Sequence, residues 1–153
     1  MIVMARDRGY TELLEVLRGR RVLVWTCNTC ARFCGVGGRE SAEGLSARLS
    51  DDGVCIAGIV SSSACCFMRS AEKMEAEAEE GYDIVLALCC DIGAINARDV
   101  TGAEVINPIV TFGAGYLAKD GVPHLSLVVC GRVVRDDPLP EVAADGGCFI
   151  GSF

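Results

Sequence analysis

Apolar residues return along the chain in two alternating rhythms, and the alternation predicts the architecture. Over residues 9–18, Tyr10, Leu13, Leu14 and Leu17 share one helical face, with Thr11 as a cap and Gly19 as a stop. Val22-Leu23-Val24-Trp25, bounded by Arg20 and Arg21, then predicts a buried strand. A loop rich in Cys and Gly covers 27–38. After it, Ala42, Leu45 and Leu49 mark the inner face of a helix over 40–49, closed by Asp51-Asp52-Gly53. The cycle repeats with a strand over 54–60, a loop over 61–66 and a helix over 70–80. That helix turns Ala71, Met74 and Ala78 inward and carries Glu72, Glu75, Glu79 and Glu80 on a solvated face. Gly81 stops it. A third strand at Ile84–Leu88 leads through Cys89-Cys90-Asp91 into a short helix over 92–98. A fourth strand over 105–110 is interrupted by Pro108, and a fifth spans 125–129. The segment from Cys130 to Val134 is expected to turn back as part of a hairpin.

Strand, loop, helix repeated in this order is the pattern of βαβ units, whose right-handed crossovers build a mostly parallel sheet. The expected fold is therefore α/β, a three-layer sandwich of flavodoxin-like or Rossmann-like type, with the first of these strands between the second and third. Residues 1–135 form one cysteine-rich domain in this reading. Residues 136–153, with Pro138 and Pro140, form an irregular tail suited to binding a partner.

Composition narrows the function. The 153 residues are 51% hydrophobic and 23% charged, enough for a buried core without disulfide staples. A net charge of −7, with Lys and Arg scattered, argues against a nucleic-acid partner. The apolar start at Met1 is followed at once by Arg6, Asp7 and Arg8, too soon for a secretion signal, and no apolar run could span a bilayer. The expected location is the cytoplasm, a reducing compartment without membrane insertion.

That expectation turns the 10 cysteines into candidate chemistry, because clustered thiols in a reducing compartment bind metals or do redox work. Cys27 follows the first predicted strand, Cys65 and Cys66 the second, and Cys89 and Cys90 the third. In a parallel sheet these positions share the carboxyl edge, where open α/β sheets bind ligands. Cys27-x2-Cys30-x3-Cys34 can wrap three thiolates around one centre, and the glycines that follow allow close backbone approach. Cys66 and Cys90 are the candidates for the fourth ligand. Four thiolates suit a [4Fe-4S] cluster, and equally tetrahedral zinc; spacing leaves both open.

The remaining cysteines have plainer readings. Cys55 reads as a small core hydrophobe within its strand, and Cys65 as structural or spare. Cys89 divides evenly between core and site, while Cys130 and Cys148 are peripheral. A thiol–disulfide enzyme using Cys27-x-x-Cys30 is disfavoured by the third cysteine and the long glycine loop. His124 is the lone histidine and reads as structural, which weakens any hydrolase reading. Gly35-Val36-Gly37-Gly38 lacks the spacing of a dinucleotide loop. Gly113-x-Gly115 reads as a loop after the fourth strand, and Asn107-Pro108 as a turn. No catalytic residue is assigned.

The run Cys27-Asn28-Thr29-Cys30, then Cys34, Gly37-Gly38, a helix, Cys66, and Val85-Leu86-Ala87-Leu88-Cys89-Cys90-Asp91-Ile92-Gly93 resembles the MetV-type small iron–sulfur proteins. The same unit is the C-terminal domain associated with methylenetetrahydrofolate reductase in anaerobes. The resemblance spans about residues 20–130 and places the family's third-strand cysteine on Cys90. It implies an iron–sulfur electron-transfer subunit in one-carbon metabolism, paired with a flavin-containing reductase subunit and not itself catalytic. In this respect it favours iron–sulfur over zinc. Two departures are visible: Asp91 stands where the family has Gly, and the family's C-terminal cysteine run is reduced to Cys130 and Cys148.

Overall fold

The structure is a computed structural model that describes residues 1–78 and 81–128. The expected hairpin at 130–134, the tail at 136–153, Cys130, Cys148, Glu79 and Glu80 lie outside the described residues. The chain is mixed α/β, and its centre is the four-stranded parallel sheet anticipated from the alternating pattern. Its strands are β2 (Arg21–Cys27), β3 (Cys55–Ser62), β4 (Ile84–Leu88) and β5 (Glu104–Ile106), in the order β3-β2-β4-β5. The first apolar strand of the βαβ series thus lies between the next two. Every residue of β4 is buried, as are six of seven in β2, which is why both read as continuous apolar runs.

Helices flank this sheet. α3 (Arg39–Asp51) lies on β2 and β3, and α4 (Met68–Glu77) on β3 and against α5 (Asp91–Thr101), which lies on β4 and β5. Each buries the face expected of it: Ala42, Leu45 and Leu49 on α3, Ala71 and Met74 on α4. α1 (Tyr10–Leu17) buries Leu13 and Leu17. None of the described helices is long and apolar enough to cross a membrane.

The sequence pattern did not anticipate a second sheet. β1 (Ile2–Arg6), β6 (Ile109–Leu117) and β7 (Pro123–Val128) form an antiparallel sheet in the order β1-β6-β7. The expected single strand over 105–110 is therefore two strands in different sheets. Pro108 divides them, because it lacks a ladder N–H and its φ is fixed. The neighbouring groups stabilise the corner: Asn107 Oδ1 accepts from Ile109 N at 3.1 Å, and the Pro108 carbonyl accepts from Asp7 N at 2.9 Å. Gly113 and Gly115 lie within β6, paired with Val128 and Leu125, and do not form the expected loop. His124 stacks on Tyr116 across β6 and β7, with ring centroids 5.4 Å apart. Cys55 is exposed, not a core residue. It opens β3, an outer strand of its sheet, where one side has no neighbouring strand to bury it.

Candidate functional site

The parallel order brings three strand ends together. Cys27 closes β2 and stands in register with Ser62 at the end of β3, while Thr26 pairs with Leu88 at the end of β4. Beyond the strands the contact continues. Asn28 N donates to Ser62 O at 2.8 Å, and Thr29 Oγ1 donates to Ser63 O. Cys27 Sγ lies 3.8 Å from the same Ser63 carbonyl. The segment expected to be a loop over 27–38 contains one short helical stretch, α2 (Cys30–Phe33).

The glycines after α2 let the chain fold back onto the sheet. A Cβ on Gly37 would stand 2.7 Å from Leu88 O and 2.8 Å from Ala31 Cβ, so only glycine fits this approach. Buried Thr26 holds the return: its Oγ1 accepts from Gly38 N at 2.8 Å and donates to Leu88 O at 3.4 Å. Asn28 Oδ1 accepts from Arg39 N at 2.9 Å, where α3 begins.

The thiols at this edge fall into two layers. Cys65 is fully buried between Cys27 and Cys89. Its S–H donates to Cys27, and that hydrogen bond, outweighing the opposing effect of burial, holds the Cys27 thiol down at about 5. The same contact, with a second one to Cys89, drives the Cys65 thiol upward, so Cys27 ionises first and Cys65 keeps its proton. α5 encloses Cys65 from the other side. A Cβ on Gly93 would lie 2.7 Å from Cys89 Sγ and 2.8 Å from Cys65 Cβ. Buried Asn96 donates from Nδ2 to the Cys65 carbonyl at 3.2 Å.

The outer layer holds Cys66 and Cys90. Cys66 is exposed; its thiol is pushed up by lost hydration and then by the neighbouring charge of Cys27, with smaller effects from Cys30 and Cys89. Cys90 is buried at the start of α5, where burial raises its thiol to about 11, and Cys89, Cys66 and Cys27 add to the rise. Asp91, next in the chain, binds the antiparallel sheet. Its backbone N–H donates to Thr111 Oγ1 at 3.0 Å, and its carboxylate accepts from Asn107 Nδ2 at 3.3 Å and Thr111 N at 3.4 Å.

The expected three-cysteine wrap is divided. Cys27 faces Cys65, whereas Cys30 and Cys34 face β1: Cys30 Sγ accepts from Ile2 N at 3.4 Å, and Cys34 Sγ donates to Ile2 O at 3.7 Å. Among the described residues, no three His, Cys, Asp or Glu side chains converge on a point in a metal-holding arrangement. The donor chemistry nonetheless fits a thiolate-liganded group. Five thiols lie at or just past the three strand ends, Cys27, Cys65, Cys66, Cys89 and Cys90, and Cys30 opens the short helix that follows β2.

Sequence reasoning brought the strand-end cysteines to one edge but missed the centrality of Cys65 and its supports on α5. A usable signal was present: Gly93 follows Cys89 by four residues, on the helical face where a small residue admits a neighbour. The chain matches no family model, no curated protein and no solved structure.

Proposed function

We propose that this chain is an iron–sulfur electron-transfer subunit of a methylenetetrahydrofolate-reductase-type complex, relaying electrons to or from a flavin-bearing partner in the cytoplasm. In this reading the parallel sheet is the core of a flavodoxin-like three-layer sandwich, and ligands come from Cys27, Cys30, Cys34, Cys66 and Cys90. The observation that carries it is the meeting of cysteines from three successive strand ends at one sheet edge, where contact with Cys65 favours ionisation of Cys27. A thiolate is the form that binds iron, and a ligand set without histidine suits a cluster. When bound, the cluster supplies one-electron storage. The chain's own contribution is a cysteine edge and the burial of Cys65 and Cys89 beneath it.

Anaerobic purification tests the proposal. The protein should be brown, hold iron and sulfide in equal amounts, and bleach on reduction with dithionite. Cys30→Ser should lose the colour, while exposed Cys55→Ser should keep it. A colourless protein containing one zinc would replace this reading with a structural zinc module, and retention of full iron in Cys30→Ser would overturn the ligand assignment.

A further inference from the structure

We infer that β1 belongs to the cysteine site, and that the backbone N–H of Ile2 is a hydrogen-bond donor that tunes Cys30 as a ligand. This rests on the proposed iron–sulfur reading, and it assigns a role to a backbone group and not to a side chain.

The geometry follows from the phase of an antiparallel ladder. Residue 1 directs both backbone groups at β6, since Met1 N donates to Gly115 O at 2.7 Å and Gly115 N donates to Met1 O at 2.9 Å. In such a pairing the next residue directs its N–H and C=O the other way. Ile2 therefore points them off the outer side of β1, the edge of its sheet. An edge strand leaves such groups without a ladder partner. Here α2 covers the edge, and two sulfurs take up both groups of one residue. Cys30 Sγ accepts the N–H at 3.4 Å, and Cys34 Sγ donates to the C=O at 3.7 Å.

A donor aimed at a ligand sulfur has a definite electrostatic effect. It stabilises negative charge on the thiolate and on whatever the thiolate binds. A reduced cluster carries one more negative charge than an oxidised one, so the N–H favours reduction and raises the potential. In the metal-free chain the Cys34 S–H holds the same residue from its carbonyl side; bound to iron as a thiolate, Cys34 would no longer donate there.

The substitution that isolates the effect is Ile2→Pro, with Ile2→Val as the conservative companion. Proline removes the N–H, and it is tolerated at the first residue of a strand when that N–H lies outside the ladder; it also trims the partly buried Ile2 side chain, which is why Ile2→Val accompanies it. All versions should carry the same residues ahead of Met1, so that processing of the start does not differ. The first measurement uses the unsubstituted chain, loaded with a spin-active cadmium isotope in place of iron. The Ile2 amide proton should show scalar coupling to cadmium through the N–H···S bond. The second is the potential of the cluster reconstituted with ferrous iron and sulfide. Ile2→Pro should shift it to a more negative value, and Ile2→Val should leave it in place. If cadmium binds in a Cys30-dependent way but no coupling reaches Ile2, or if Ile2→Pro retains the original potential, the inference is overturned while the iron–sulfur reading stands. If the chain takes up neither cadmium nor cluster, both fall together.

Discussion

The two sheets meet the candidate site in opposite ways. The parallel sheet is buried along the whole of β4, and it delivers side chains: Cys27, Cys65 and Cys89 lie at or just beyond its strand ends. The antiparallel sheet leaves Leu127 60% exposed and Val128 58% exposed at its far side, and it delivers backbone and hydroxyl groups, from Ile2 and Thr111. One sheet supplies the sulfur; the other supplies the Ile2 N–H to one sulfur and, through Thr111, both an acceptor and a donor to Asp91. The division shows why motif spacing alone could not define the site, since part of its hydrogen bonding comes from the backbone of a distant strand.

The comparison can be sharpened by substitutions of graded size. The largest contrast is between two leucines. Leu88→Ala, at a fully buried position, should cost about 2–5 kcal/mol in denaturant unfolding, whereas Leu127→Ala should change stability by less than about 0.5 kcal/mol. Equal losses would mean that β7 is packed as tightly as β4. Next is Gly93→Ala, which forces a methyl group against Cys89 Sγ and Cys65 Cβ; we expect a loss of about 1–3 kcal/mol, read as a lower melting temperature. Smaller again is Asp91→Ala. It strips acceptors from Asn107 Nδ2 and Thr111 N, at about 1–2 kcal/mol, and it should speed amide exchange at Thr111 and alkylation of Cys90 together. Faster exchange at Thr111 with unchanged labelling of Cys90 would break the link drawn between the sheets at that corner.

The gentlest probe is pH, applied to metal-free protein and to Cys27→Ala. Folded Cys27, held at about 5 by the Cys65 hydrogen bond, has lost its proton across a range where the unfolded cysteine, near 9.0, still binds one. Stability from this group therefore rises with pH between those values, is complete above the upper one, and is lost as pH falls through the lower one. Cys90, raised to about 11, acts with the opposite sign above 9, because there the unfolded chain releases a proton that the folded chain keeps. The difference in melting temperature between the unsubstituted chain and Cys27→Ala should grow from pH 5 toward pH 9. A flat difference would show that Cys27 is not an ionised acceptor for Cys65.

How much of this was legible depended on whether burial left a pattern. β2, β3 and β4 and the helices between them were readable because the buried β2 and β4 are unbroken apolar runs and the helices show one apolar stripe each. The central place of β2 followed from the same βαβ order. β1 was not readable: Ile2 to Ala5 is too short a run to reveal a partner as distant as β6. α2 was hidden by its Cys and Gly surroundings, and the split at Pro108 concealed a change of sheet. Cys65 and Cys66 show the limit for side chains. They are adjacent and identical in type, yet one is fully buried and the other exposed, and only the turn after β3 decides which.

The long return from β1 to β6 has a consequence for how the chain is made. Met1 bonds to Gly115, a separation of 114 residues, so β1 has no strand partner until nearly the whole described chain has been synthesised. By contrast, the last cysteine of the parallel edge is Cys90, and the strands that bring these thiols together are all complete by then. Contacts so far apart form late, because a long loop must close before they contribute. The thiol edge is thus assembled first and roofed second. Vectorial synthesis leaves an interval in which Cys30 stands open before β1 comes back to cover it.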